Sequence, residues 1–185
     1  MTYKLYIDQF KLKDVFECGQ AFRWDKNPDG SYTGVVSHSI LNVSQNGNEI
    51  TIDVTGKDLS IDKIKSYFDT ERDYRSIIDT LSKIDDYMKE ATSFGEGIRI
   101  LNQDLWETMI SFIISANNNI PRIKSTIKKL CKTYGTKISD EYYSFPTPAE
   151  LSKASVEDLR SLGLGFRDKR IYEVTHLVET NEFNL

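Results

Sequence analysis

Three short stretches of this 185-residue chain bring together residue types that could do chemistry. The first is Ser115-Ala116-Asn117-Asn118-Asn119-Ile120-Pro121-Arg122, an asparagine run between the apolar segment Met109–Ile114 and a basic one from Arg122 to Lys132. Adjacent carboxamides build neither a core nor a helix interior well. At the mouth of a helix they present many donors and acceptors beside free amides and the positive end of the helix dipole. Asparagine and arginine are also the common readers of base edges. The plainer alternative, helix capping by Asn119 plus a solvent loop, accounts for one or two asparagines but not for Arg122 just beyond them.

The second stretch is Cys18-Gly19-Gln20-Ala21-Phe22-Arg23-Trp24. A glycine has no Cβ, so a flat ligand could approach its backbone closely, and its carbonyl could accept from a ring N–H. The alternative is a β-bulge glycine with Phe22 and Trp24 in the core. The third is Leu162-Gly163-Leu164-Gly165-Phe166-Arg167-Asp168-Lys169-Arg170. An aromatic at a turn beside arginines can wedge into a base stack. The alternative is a helix–helix connection with Phe166 buried. The run lacks the Gly-Lys-Ser/Thr ending of a phosphate-binding loop.

Bulk properties narrow the field. The composition, 39% hydrophobic and 28% charged, is that of an ordinary globular protein with room for one large domain or two small ones. No apolar run approaches the roughly 18 residues of a membrane-spanning helix. The amino terminus has no signal-peptide core, so the chain is expected to be intracellular. Cys18 and Cys131 are read as free thiols and, with only His38 and His176 besides, cannot build a metal centre. The net charge of −4 argues against nucleic acid at first sight. Its distribution argues the other way: from Gly97 to Gly135 the bases Arg99, Arg122, Lys124, Lys128, Lys129 and Lys132 face only Asp104 and Glu107. A solvated helix face would also explain Lys124, Lys128 and Lys132.

The elements that must position these stretches are legible in outline. Tyr32–Val36, Ile40–Gln45 and Ile50–Val54 read as strands of an antiparallel meander, separated by Asn27-Pro28-Asp29-Gly30 and Asn46-Gly47-Asn48. After Gly56 the period becomes helical, with Ile61, Ile64, Tyr67 and Phe68 behind a Ser60 cap and short helices over 73–82 and 85–92. Asp104 and Glu107 form a capping box for a helix over 105–116 that is apolar nearly all round and therefore buried on most sides. Asn119 caps the next helix, with Pro121 in its first turn, Ile123, Ile127, Leu130 and Cys131 inward, and Gly135 as its stop. Thr147 and Ser155 open two more helices. A last one over 168–180 turns Ile171, Val174 and Leu177 inward.

No one of the three stretches is decisive, but together and in this order they resemble the 8-oxoguanine DNA glycosylase/AP lyase family of the helix-hairpin-helix superfamily. The matching residues are Gly19-Gln20-Ala21-Phe22-Arg23-Trp24, Gly97–Asp104, Ser111–Ile123, Phe145-Pro146 and Leu162–Arg167. The resemblance implies an α+β fold. Residues 1–92 would be an N-terminal antiparallel β-sheet with helices. Residues 93–185 would be the first part of a helical, helix-hairpin-helix glycosylase-like domain, incomplete in this chain. It also implies base-excision repair by base flipping, on double-stranded DNA carrying 8-oxoguanine opposite cytosine, with no cofactor, no metal and no membrane, by a protein monomeric when complete. The Lys, Asn, Ile and Ser usage points to an AT-rich bacterial genome, so the expected place is the bacterial cytoplasm at the nucleoid.

The resemblance assigns roles residue by residue. The Gly19 carbonyl would read the lesion, because 8-oxoguanine carries a hydrogen on N7 where guanine has a lone pair. Asn117 would fill the gap left by the extruded base and contact the estranged cytosine. Arg122 and Arg167 would read that cytosine, and Phe166 would wedge beside it. The family's catalytic lysine, in a Gly-Val-Gly-x-Lys-type hairpin, and its following aspartate lie beyond the Leu-Gly-Leu-Gly-aromatic-Arg motif. Both are expected to lie beyond Leu185, so this chain alone is expected to be inactive, since the lysine amine makes the Schiff base of the family's chemistry. Lys169 follows glycines, but its motif aligns with the segment before the hairpin, so it is not expected to be that nucleophile. The alternatives are a non-catalytic damaged-DNA-binding module or truncated pseudo-enzyme, and, more remotely, an unrelated helical interaction protein.

Overall fold

Alternating β-branched and aromatic residues early in the chain pair into a five-stranded sheet. In the computed structural model, which describes residues 1–57 and 59–185, the strands are β1 (Thr2–Tyr6), β2 (Trp24–Lys26), β3 (Tyr32–Val36), β4 (Ser39–Asn46) and β5 (Glu49–Gly56). Their order across the sheet is β1-β5-β4-β3-β2. The expected meander is therefore β3 to β5, and β2 extends it beyond β3. The first strand closes on its far side, antiparallel to β5 with Thr2 opposite Asp53 and Tyr6 opposite Glu49. Ile50, Ile52 and Val54 point inward from β5 while their neighbours face outward, the period of a half-buried strand.

The short helix α1 (Leu12–Phe16) supplies Val15 and Phe16 to this core. Phe16 stacks on Trp24 at 4.0 Å between ring centroids, and the indole N–H donates to the Tyr67 hydroxyl at 2.9 Å. Phe22 and Trp24 are thus core residues, the plainer of the two sequence readings. Gly34 lies opposite Trp24 in the β2–β3 pairing, and a Cβ there would sit 2.4 Å from the indole ring. The tryptophan occupies the space that a side chain at 34 would need.

Three helices follow, each opened by a side-chain cap: α2 (Ile61–Tyr67), α3 (Tyr74–Leu81) and α4 (Asp86–Phe94). The side chains of Ser60, Asp73 and Asp85 accept from the backbone amides of Lys63, Ser76 and Met88. Beyond Asn102 come α5 (Leu105–Ser115), α6 (Ile120–Tyr134), α7 (Pro148–Leu151), α8 (Val156–Leu159) and α9 (Asp168–Glu179). Asp104 caps α5 and Asn119 caps α6, while Thr147 and Ser155 make reciprocal capping boxes with Glu150 and Asp158. The chain groups into two compact units, Met1–Gly34 with Leu41–Asn102, and Val35–Ile40 with Gln103–Leu185. Among the described residues no helix is long and apolar enough to cross a membrane.

The structure differs from the sequence reading in three places. Helix α5 buries one side only: Trp106, Ile110, Ser111 and Ile114 are inside, but Leu105 is 60% and Phe112 50% exposed. An apolar residue at every position marks burial only where a neighbour covers each face. In α9 the inward stripe is Ile171 and Thr175, with Leu177 at 43% exposure. Gly135 does end α6, but at φ −81, not in the left-handed conformation of a glycine stop. It is required by proximity, since a Cβ there would lie 2.0 Å from the Ser144 carbonyl oxygen.

Candidate nucleic-acid interface

Each of the three asparagines has a different task. Asn119 is the cap, its Oδ1 accepting from the Arg122 amide at 3.0 Å, which sets Arg122 in the first turn of α6. Asn118 turns back, its Nδ2 donating to the Ile114 carbonyl at 3.1 Å while its Oδ1 accepts from the Asn119 amide at 3.0 Å. It thereby satisfies one of the carbonyls left over at the end of α5. Asn117 sits between them at φ +49, the left-handed region that asparagine tolerates better than other side chains. Its side chain is exposed and bonds to no described residue. The Arg122 side chain is likewise exposed and unpaired among the described residues.

The glycine-punctuated motif forms the facing wall of this turn. Arg160–Leu164 is a kinked segment with Gly163 at φ +94, and Gly165 follows at φ +58 and ψ −134, backbone conformations that glycine adopts without strain. The two reversals leave Phe166 exposed at 66% and turn Arg167 inward to 5% exposure. The arginine guanidinium lies 4.3 Å from the Phe166 ring centroid, a cation–π contact. Its Nε donates to the Ala116 carbonyl at 2.9 Å, and its Nη2 to the same carbonyl and to that of Asn117 at 2.9 Å. Nη1 donates to Leu164 at 3.2 Å. Asn117, Arg122, Phe166 and Arg167 are therefore gathered around one turn.

Gly19 lies in the other unit, at φ +85 with open space where a Cβ would point. Conformation, not crowding, selects glycine there. Gln20 anchors the loop: its Nε2 donates to the carbonyls of Val15 at 3.0 Å and Arg99 at 2.8 Å, and its Oε1 accepts from Leu101 N–H at 2.9 Å. Arg99, counted from the sequence among the bases whose distribution favours nucleic acid, is not available for that role. Arg99 is 3% exposed and spends its guanidinium on backbone carbonyls. The exposed cations of that stretch are Arg122, Lys128, Lys129 and Lys132.

Sequence reasoning also missed Asp168, which braces the motif. Its buried carboxylate accepts from Arg160 Nε at 2.6 Å and from the Lys169 amide at 2.6 Å. Burial pushes its pKa up, but the Arg160 bond and the Lys169 amide pull harder and leave it below its ordinary value of 3.8. A depressed folded-state pKa contributes stability that is present above the ordinary carboxylate range and lost as pH falls through the folded value. Asp168→Asn should therefore lower the melting temperature at pH 7. That difference should close as the pH drops below the carboxylate range. A gap equally wide in acid would exclude the ion pair as its cause.

The arrangement sits on the helical part of a fold whose sequence matches base-excision DNA repair proteins. Residues 110–180 match the HhH-GPD superfamily base excision DNA repair protein family, and residues 2–109 match the 8-oxoguanine DNA glycosylase N-terminal domain. This chain belongs to the 8-oxoguanine DNA glycosylase family. It is 36% identical to the N-glycosylase/DNA lyase of Saccharomyces cerevisiae, with 94% of this chain and 52% of that protein aligned. Among solved structures it is similar to MBOgg1 in complex with a low-affinity DNA ligand (44% identity, TM-score 0.94, all of this chain and 65% of that one). It is similar also to the Clostridium acetobutylicum 8-oxoguanine glycosylase/lyase in complex with double-stranded DNA containing cytosine opposite 8-oxoguanine (34% identity, TM-score 0.90, all of this chain and 67% of that one). The chain spans about half the length of the curated relatives it matches.

Proposed function

We propose that these 185 residues form the lesion-recognising part of an 8-oxoguanine DNA glycosylase/AP lyase, binding duplex DNA in which 8-oxoguanine lies opposite cytosine. The observation that carries this reading is the Asn117 side chain, exposed and without a partner among the described residues, on a left-handed turn whose carbonyls are held by a buried arginine. A carboxamide carried on a turn held in that way offers a donor and an acceptor to the space vacated by a flipped base. Arg122, likewise without a side-chain partner among the described residues, supplies donors for the acceptor edge of the orphaned cytosine. Phe166 is the wedge, an exposed ring at a turn with a cation behind it. The Gly19 carbonyl is the acceptor for the N7 hydrogen of the lesion, and guanine would set a lone pair against it. Cleavage is assigned to none of these residues. The proposed place of action is nucleoid DNA in a bacterial cytoplasm.

The test is binding by this chain to matched duplexes with 8-oxoguanine·cytosine or guanine·cytosine at one position, followed by borohydride treatment of the lesion complex. The expected result is tighter binding to the lesion duplex and no covalent adduct. Equal affinity for both duplexes would overturn the recognition role. A trapped adduct would show that the chain carries its own amine nucleophile.

A further inference from the structure

A hydrogen-bond acceptor discriminates between ligands only as well as it is held in place. Next to Gly19, the Gln20 carboxamide spends both Nε2 hydrogens on backbone carbonyls, those of Val15 at 3.0 Å and Arg99 at 2.8 Å. Its Oε1 accepts from the Leu101 amide at 2.9 Å. Two carbonyls on one side and an N–H on the other fix which way the carboxamide faces. The Val15 carbonyl is one of those left over at the end of α1. Arg99 and Leu101 lie 79 and 81 residues further along, so the side chain ties its loop to a distant segment. That segment is itself braced, because the Arg99 guanidinium bonds the carbonyls of Asp8, Asp69 and Arg72. At the other end of the loop the Glu17 carboxylate accepts from the Tyr32 hydroxyl. Beyond Gln20, Ala21 and Phe22 enter the core. Cys18 and Gly19 are the span between these pins, the first exposed and the second half-buried at φ +85.

We infer that Gln20 is a positioning residue that sets specificity: by tying the loop to Val15, Arg99 and Leu101 it fixes the Gly19 carbonyl, and so determines how strongly 8-oxoguanine is preferred over guanine. The inference rests on the proposed lesion-reading role of Gly19. The N7 hydrogen of 8-oxoguanine meets that carbonyl as a donor, while guanine meets it as a second acceptor. The penalty for guanine lasts only while the carbonyl cannot move away. Gly19 has no side chain to brace it, open space where a Cβ would point, and the widest choice of backbone conformations. A swing of about an ångström would relieve the acceptor–acceptor clash with guanine. It would also stretch the bond to the lesion, since hydrogen bonds weaken steeply with distance and angle. Both effects narrow the preference. Affinity carried by phosphate contacts is common to both duplexes and is left as it was.

The test combines two measurements on the whole chain. Gln20→Met keeps the length and most of the volume of the side chain and removes its donors and its acceptor. In the free variant, the 15N order parameter of the Gly19 amide should fall from about 0.85 toward about 0.6, with the β5 amides unchanged. An unchanged Gly19 order parameter would overturn the anchor, whether or not the chain binds DNA. In binding to matched 8-oxoguanine·cytosine and guanine·cytosine duplexes, the ratio of the two affinities should fall by about tenfold, within the range for one misplaced buried hydrogen bond. A residue that only supports the fold would lower the melting temperature and both affinities alike, and leave the ratio as it was. That result would overturn the specificity role. Gln20→Glu, which keeps an acceptor for Leu101 and loses both donors, serves the same comparison if the methionine variant does not fold. Absence of any lesion preference in the parent chain would refute the lesion-reading role of Gly19, and the specificity role of Gln20 with it, and leave the order-parameter result standing.

Discussion

Arg99→Met should destabilise the N-terminal unit by about 1–3 kcal/mol, the cost of removing the donors to carbonyls held away from water. The side chain is 3% exposed. Its Nε and Nη2 donate to the Asp8 carbonyl at 3.2 and 2.7 Å, and its Nη1 to those of Asp69 at 2.7 Å and Arg72 at 3.2 Å. None of those carbonyls belongs to a helix or strand of the fold; those of Asp69 and Arg72 each accept one backbone bond besides, from the amides of Arg72 at 3.4 Å and Tyr74 at 3.0 Å. The guanidinium also lies 4.3 Å from the Tyr74 ring centroid. The Tyr74 hydroxyl in turn donates to Asp69 at 3.1 Å and accepts from the Ile100 amide at 2.9 Å. Methionine keeps much of the volume and none of the donors, so the Asp8 carbonyl loses both guanidinium bonds and those of Asp69 and Arg72 keep only their backbone partners, the amides of Arg72 and Tyr74. Urea denaturation of parent and variant measures the difference. Arg99→Lys should recover only part of it, because one ammonium cannot reach carbonyls from three directions. A loss below about 1 kcal/mol, the worth of an ordinary surface pair, would mean that water replaces the guanidinium there.

Arg99 also marks a limit of the sequence. Nothing in Gly97-Ile98-Arg99-Ile100-Leu101 distinguishes a surface base from one that knots three distant backbone segments, because its partners, Asp8, Asp69 and Arg72, are chosen by tertiary closure. Features written in local terms were legible: the caps at Ser60, Asp104, Asn119, Thr147 and Ser155, the β5 alternation, and the α6 stripe of Ile123, Ile127, Leu130 and Cys131. Strand β1 escaped because its partner is some fifty residues away, Thr2 against Asp53, and five residues ending in an exposed Tyr6 carry no strong period. Strand β2 is only Trp24–Lys26, too short for any pattern. At the candidate site, the types and order of Asn117, Arg122, Phe166 and Arg167 were readable. Which arginine points outward was not: Arg122 lies on an open first turn, while Arg167 is drawn in by two glycine reversals whose angles no spacing rule predicts.

Asn117→Gly should raise the dissociation constant for an 8-oxoguanine·cytosine duplex by about ten- to a hundredfold, the 1–3 kcal/mol of a well-placed contact to a base edge. Glycine is the informative substitution because Asn117 has two separable properties. Its backbone is at φ +49, and its side chain is exposed and makes no bond to a described residue. Alanine would remove the carboxamide and also strain the turn, so a loss of affinity could arise from either. Glycine removes the carboxamide and keeps, or eases, the left-handed backbone. Folding stability should therefore stay within about 0.5 kcal/mol of the parent, as for a surface substitution without buried consequences. If the carboxamide occupies the gap of the flipped base, affinity for the lesion duplex falls while affinity for undamaged duplex, carried by phosphate contacts of exposed bases such as Lys128 and Lys132, is kept. If instead the asparagine is there only because the turn needs a tolerant residue, glycine will bind both duplexes as the parent does. That outcome would leave the middle of the run as turn chemistry and move recognition to Arg122 and Phe166.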